Sequence, residues 1–173
     1  MTSVPGAPVL TMSFDIEGRN FKASGEASGR IKRTLEQVGL DWNVVRRAAV
    51  VLYEAEMNIV IHAHRGVLRA EITPQKVVIV ADDEGPGIPD VSLAMKKGFS
   101  TAPAEIREMG FGAGLGLPNI EKHSDQMSIK TEVGRGTRVV AVIMVPGGAP
   151  DVTRPGATQA GATQADATQP GAT

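Results

Sequence analysis

The stretch VLRAEITPQKVVIVADDEGPGIP, residues 67–89, decides the fold. Val67 to Thr73 and Lys76 to Ala81 are apolar and β-branched runs, and Pro74-Gln75 between them reads as a tight turn, so the two form an antiparallel hairpin. The second run passes straight into Asp82-Asp83-Glu84-Gly85-Pro86-Gly87-Ile88-Pro89. A carboxylate at a strand end, followed by two glycines, can reach the edge of a base while the backbone stays close to it. Gly and Pro also mark ordinary turns, so these residues alone do not exclude a plain loop. A calcium loop is disfavoured, because oxygen ligands at the further alternating positions are missing.

On the N-terminal side, Val9 to Ile16 alternates as a strand with Leu10, Met12, Phe14 and Ile16 on one face. After the turn at residues 17–20, Phe21-Lys22-Ala23 reads as a short extended piece. Ser24 to Val38 is helical and stops at Gly39, and Asp41 caps a longer helix through Ala63, closed by Gly66. On the C-terminal side, Asp90 to Met109 shows no clear period and has the character of a lid or binding loop. Gly116 to Ser124 is helical, and Met127 to Glu132 and Thr137 to Val145 are strands around a Gly134-Arg135-Gly136 turn. Strands with helices gathered on one face predict an α+β two-layer sandwich, with a mixed, mostly antiparallel sheet.

Three further features could carry chemistry. In Glu54-Ala55-Glu56-Met57-Asn58 on the long helix, residues four apart share a face, so Glu54 and Asn58 converge while Glu56 points roughly opposite. A carboxylate can take a proton, and a neighbouring amide oxygen can hold a hard cation such as Mg²⁺. Gly110-Phe111-Gly112-Ala113-Gly114-Leu115-Gly116 opens the next helix, and its exposed N–H groups and positive helix end suit phosphates. No Gly-Lys-Ser/Thr follows, so it is not a P-loop, and no strand directly precedes it, which argues against a dinucleotide loop. Gly134-Arg135-Gly136-Thr137 by itself means only a hairpin.

Taken in order, the four features resemble the ATP-binding sites of the superfamily that joins gyrase, the Hsp90 chaperone, histidine kinases and MutL. There a helix carries Glu-x-x-x-Asn, a strand end carries Asp-x-Gly-x-Gly, a Gly-rich lid end precedes a helix, and a Gly-x-Gly-Thr turn comes last. The resemblance spans about residues 50 to 140 and implies the Bergerat-type ATP-binding fold. Tyr53 to Asn58, with Ile61-His62 just after, looks most like the stand-alone serine/threonine kinases of bacterial partner switching, the anti-sigma-factor and stressosome-switch kinases.

The resemblance implies roles residue by residue. Asp83 would accept a hydrogen bond from the adenine amino group, supported through water by Thr137, while Gly85 and Gly87 let the backbone close on the base. Asn58 would coordinate Mg²⁺ bridging the phosphates, and Glu54 would be the general base toward a serine or threonine hydroxyl. Gly110, Gly112, Gly114 and Gly116 would wrap the phosphates, with Ile88, Thr101 and Leu115 completing the nucleotide contacts. Lys97, Ser100 and Arg107 are further lid candidates for phosphate oxygens. His62 and His64 read as packed or capping residues rather than metal ligands, His123 has no nearby partner in sequence, and Trp42 reads as core or a partner contact.

The implied partner is a small protein of the anti-sigma-factor-antagonist or scaffold type, with a sigma factor as an open second partner and homodimerisation common in such kinases. A non-catalytic ATP-dependent switch and a slow ATPase are the alternatives. A complete sensor histidine kinase is not expected, since the roughly 40 residues before the Glu-Asn helix contain no histidine.

Composition agrees with this reading. There is no cysteine, so neither a disulfide nor thiolate-bound zinc is expected. The longest apolar run, Val139 to Val145, is far short of the roughly 20 residues that span a bilayer. The first basic residue is Arg19, which does not fit a secretory signal, and a cytoplasmic protein is expected. A net charge of −1 with 3% aromatic residues argues against nucleic-acid binding. The folded domain is expected at 1–146. From 147 to 173 the chain turns to GATQ-type repeats that cannot bury enough apolar area to offset their ordering entropy, so a disordered tail is expected.

Overall fold

A computed structural model of the chain describes residues 10–147. Val9 and the repeat-bearing segment 148–173 lie outside the described residues. The elements are β1 (Leu10–Glu17), α1 (Glu26–Gln37), α2 (Trp42–His62), β2 (Arg65–Ile72), β3 (Lys76–Glu84), α3 (Val91–Ala94), α4 (Ala104–Glu108), α5 (Gly116–His123), β4 (Gln126–Glu132) and β5 (Gly136–Met144).

The strands form one sheet in the order β1-β2-β3-β5-β4, and each neighbouring pair is antiparallel. The expected α+β two-layer architecture is present, but the sheet is wholly antiparallel among the described residues rather than mixed. The reason is topological: β4 runs in the direction of β3, yet β5 folds back between them and pairs with both. Alternate residues of each strand, Leu68, Ala70, Ile79, Ala141 and Ile143 among them, join Leu52, Ala55 and Ile59 of α2 in one core.

Helix α2 is the centre of the helical layer. The Asp41 side chain accepts the Asn43 N–H at 2.8 Å, as a capping residue should. Gly66 does not close this helix. The helix ends at His62, and Gly66 lies in β2 opposite Asp83, where a Cβ would come within 2.8 Å of the Asp82 carbonyl oxygen and 3.0 Å of Ile59 Cγ2. At the end of α1, Gly39 adopts φ 76°, and the Gly39 and Leu40 N–H groups bond the Glu36 and Leu35 carbonyls, closing a Schellman motif.

Two other readings are corrected. Residues 21–23 form turns instead of an extended piece, with the Ser24 hydroxyl donating to the Phe21 carbonyl. Ser24 lies outside the helix it was expected to begin, and α1 starts at Glu26. The segment 90–109, read as a lid or binding loop, holds the short helices α3 and α4, the first capped by Asp90.

The cap that α1 lacks in its own sequence comes from α2. Glu56 is 1% exposed, and its carboxylate accepts the Gly25 N–H at 2.9 Å and the Ser28 N–H at 2.8 Å. These are among the donors a helix start leaves unpaired, and the negative charge also suits the positive helix end. Replacing Glu56 by Ala strands both donors and should cost about 3 kcal/mol in denaturant unfolding. Glu56→Gln, which keeps one acceptor, should cost less, and an alanine variant as stable as the parent would contradict the capping role.

Candidate functional site

Between α2, the end of β3, the 90–115 segment and the start of α5 lies a cavity of about 470 Å³, within the usual range for small-molecule sites. Its wall includes Glu54, Asn58, Asp83, Gly87, Ile88, Thr101, Gly110, Gly112, Gly114, Leu115, Gly116 and Thr137. The structure thus brings together the residues to which the resemblance gives a catalytic or nucleotide-binding role, with Gly85 as the exception among them. That glycine is buried behind the strand end, where its Cβ position is 3.1 Å from Ala63 Cα and 3.1 Å from Asp83 Oδ1. Its place is against α2, beneath the carboxylate rather than in the cavity. Ser100 also lines the cavity, whereas Lys97 and Arg107 are exposed and stand outside its lining.

One end of the cavity is built by strands. Asp83 belongs to β3, which continues to Glu84 instead of ending at Ala81. The sheet order places β5 beside it, and Asp83 Oδ1 accepts the Thr137 N–H at 3.1 Å. Partial burial raises the proton affinity of Asp83; the Thr137 N–H opposes this and the neighbouring Asp82 charge adds to it, leaving the pKa above the ordinary carboxylate value. Behind this contact, the Thr131 and Thr137 hydroxyl oxygens are 3.0 Å apart, and Thr131 Oγ1 accepts the Ile88 N–H at 2.8 Å. The Gly134 N–H donates to the Pro86 carbonyl at 2.8 Å. The β4–β5 hairpin therefore fixes the 85–89 turn from behind.

The other end is built by α2 and α5. Glu54 and Asn58 do share the cavity-facing side of α2, and His62 follows them one turn later. Burial, and then the charge of Arg19, lower the pKa of His62, so the ring is neutral at physiological pH. Gly116 begins α5 directly above this pair: a Cβ there would lie 2.8 Å from Asn58 Oδ1 and 3.5 Å from Glu54 Oε2. Only a residue without a side chain brings the N–H end of α5 this close. Asn119 Nδ2, one turn into α5, donates to Glu54 Oε1 at 2.7 Å.

A second apolar cluster seats the 90–115 segment. Ala102 and Ile106 pack on Met57 and Ile61 of α2, and Phe111 stacks on Phe21 with centroids 5.3 Å apart. The Gly98 N–H bonds the Gly114 carbonyl at 2.9 Å. Trp42 is 70% exposed with the Arg46 guanidinium over its ring, so it is not a core residue.

Sequence reasoning passed over Asn119, Thr131 and the Phe21–Phe111 pair. Asn119 lies three residues past Gly116, within one turn of a glycine already singled out, and that spacing was the available signal. Nothing in the local sequence marks Thr131 or Phe21, which meet the site only through tertiary folding.

The arrangement can hold a flat polar ring at the Asp83 end and an anion at the α5 end, with the Glu54 carboxylate beside the start of α5. Residues 25–147 match the family described as histidine kinase-, DNA gyrase B- and HSP90-like ATPase. The chain is 32% identical over 100 residues to the serine/threonine-protein kinase RsbT of Bacillus subtilis (strain 168), covering 56% of this chain and 69% of that one. It is 35% identical over 91 residues to an anti-sigma F factor of Caldanaerobacter subterraneus subsp. tengcongensis, covering 50% of this chain and 60% of that one. The histidine kinase domain of the Erythrobacter litoralis EL346 blue-light activated histidine kinase superposes with a TM-score of 0.44 at 17% identity, over 70% of this chain and 60% of that one. No helix among the described residues is long and apolar enough to cross a membrane.

The raised pKa of Asp83 has a consequence for stability. A carboxyl that binds its proton more tightly in the folded state lowers stability as pH rises from the unfolded pKa through the folded one. Asp83→Asn keeps an oxygen for the Thr137 N–H and removes the charge. Its melting temperature should equal or exceed that of the parent at neutral pH, and the difference should vanish in acid below the ordinary carboxylate range. A variant clearly less stable than the parent at neutral pH would contradict this balance.

Proposed function

Because the chain belongs to the histidine kinase-, DNA gyrase B- and HSP90-like ATPase family, we propose that it binds ATP in this cavity and transfers the γ-phosphate to a serine or threonine of a partner protein. The observation that carries the proposal is the placement of Glu54, with one carboxylate oxygen held by Asn119 and the other beside the glycine that opens α5. The adenine sits at the strand-built end, its amino group donating to Asp83. The phosphates lie against the Gly110–Gly116 loop and the first N–H groups of α5, where backbone donors and the helix dipole favour negative charge.

The donor set fits Mg²⁺. Asn58 Oδ1 faces the cavity near Gly116, and the described residues contain no cluster of three or more metal-ligating side chains. Such a site suits an ion that keeps waters and phosphate oxygens as most of its ligands, with Asn58 contributing one neutral oxygen. When bound, the ion neutralises charge on the phosphate oxygens.

In the transfer step the acceptor hydroxyl oxygen forms a bond to the γ-phosphorus as the bond to the bridging oxygen of ADP breaks. The hydroxyl proton passes to Glu54. Positioning and charge neutralisation account for most of the catalysis in such reactions, and a base adds a smaller factor.

We infer that the acceptor is a small protein of the anti-sigma-factor-antagonist or scaffold type, phosphorylated in a cytoplasmic partner switch; the likeness to a serine/threonine-protein kinase and to an anti-sigma F factor supports a protein partner of this kind. A sigma factor as a second partner and a homodimer belong to the same reading.

Two variants test it. Asp83→Asn should weaken ATP binding by about 10- to 100-fold in calorimetry, the equivalent of one charge-assisted hydrogen bond. Glu54→Ala should bind ATP as the parent does and transfer its phosphate about 100-fold or more slowly, leaving a measurable residual rate. With γ-labelled ATP and an extract of the native source, the parent should label a small protein on serine or threonine. Labelling at the parent rate by Glu54→Ala would overturn the base role. Release of inorganic phosphate alone would favour a slow ATPase, and ATP binding with neither product would favour a non-catalytic switch.

A further inference from the structure

A carboxylate on a helix can turn about its side-chain bonds, so a base of this kind needs something to hold it. In this chain the holder is a neutral amide: Asn119 Nδ2 donates to Glu54 Oε1 at 2.7 Å. Both residues are half-buried in the cavity wall. An amide N–H can donate but cannot take up a proton, so Oε1 is occupied and Oε2 is left as the proton-accepting oxygen. Oε2 is also the oxygen nearer to Gly116, 3.5 Å from where its Cβ would be.

Asn119 is itself held. Its main-chain carbonyl oxygen is 2.8 Å from His123 Nδ1, and the main-chain carbonyl of His123 accepts from Arg47 Nε of α2 at 3.1 Å, which fixes the backbone that carries the Asn119 side chain. Arg47 Nη2 pairs with Asp125 Oδ1 at 2.9 Å, and Asp125 Oδ2 accepts the Met144 N–H of β5 at 2.7 Å. The far end of α5 is thus tied to both α2 and the sheet, and a cation at a helix C-terminus suits its dipole. The near end of the same helix faces Asn58 and Glu54 through Gly116.

We propose that Asn119 is a positioning residue for Glu54, which makes α5 the part that both faces the phosphates and aligns the base. The proposal rests on the kinase reading above. It assigns Asn119 no contact with nucleotide, so its loss should alter turnover and leave ATP affinity unchanged.

The test compares Asn119→Ala, Asn119→Asp, Glu54→Ala and the double variant Glu54→Ala/Asn119→Ala, by ATP calorimetry and by phosphate transfer or release from γ-labelled ATP at saturation. Asn119→Asp has the shape of the native residue, so it guards against an alanine variant that fails to fold. Asn119→Ala should bind ATP as the parent does and turn over on the order of 10- to 100-fold more slowly, the usual scale for a misplaced reacting group, and Asn119→Asp, whose carboxylate repels that of Glu54, should be at least as slow. In the Glu54→Ala background the loss of Asn119 should have no further effect. Unchanged turnover in Asn119→Asp, or an equal further loss in the Glu54→Ala background, would overturn the positioning role while leaving the kinase reading intact. A parent protein that binds ATP and neither transfers nor releases phosphate would overturn both.

Discussion

The architecture depends on one helix having to satisfy three neighbours at once. Over its 21 residues, α2 turns Leu52, Ala55 and Ile59 to the sheet, Glu54 and Asn58 to the cavity, and Glu56 to the start of α1. The 3.6-residue period allows this only in one rotational setting. Rotating α2 by one residue, about 100°, would take Glu54 out of the cavity, bury charge against the sheet and leave α1 without its cap. The buried Glu56 carboxylate enforces the setting, because both of its oxygens are matched to backbone N–H groups of another element. A buried carboxylate without such partners would be costly, so the alternative settings are excluded more strongly than apolar packing alone would exclude them.

The sheet supplies a second fixed point. With β5 inserted beside β3, Arg138 pairs opposite Asp82, which brings Thr137 to the carboxylate of Asp83. Residues 54 positions apart in the chain thereby become one polar unit, and the β4–β5 hairpin holds the 85–89 turn through Thr131 and Gly134. This end of the cavity rests on ladder hydrogen bonds. The wall formed by the 90–115 segment rests on short helices and a small apolar cluster around Met57 and Ile106. Segments with few buried apolar contacts open at lower free energy than sheet cores, so a cavity built this way has one rigid wall and one wall that can yield.

Much of this was legible in the sequence because it rests on local rules. Alternation gave the first strand and apolar runs about turns gave the others, Asp41 and Gly39 gave the helix limits near them, and the four motifs marked eleven residues that now line one cavity, with Thr101 of the lid beside them. What was not legible depends on neighbours far along the chain. Gly66 has the look of a helix stop, but it is glycine because the Asp82 carbonyl and Ile59 approach it within β2. Gly85 has the look of a ligand contact, but it packs on Ala63. The start of α1 could not be read from Ser24, because the acceptor that caps it is 31 residues away on α2. The single place of β5 between β3 and β4 likewise has no local signal.

The two walls are joined by α5. Its first turn stands over Asn58 and Glu54, its side chain at Asn119 grips Glu54, and its last turn is anchored through Arg47 and Asp125 to α2 and β5. Burial disfavours the charged form of Asp125, but the Met144 N–H and Arg47 outweigh it and hold the carboxyl below its ordinary range, so the anchor persists at physiological pH. The loop leading into α5 is the part seated by the yielding wall, through Phe111 on Phe21. Holding the base from Asn119 and presenting N–H groups from the first turn places the two tasks within eight residues of one helix.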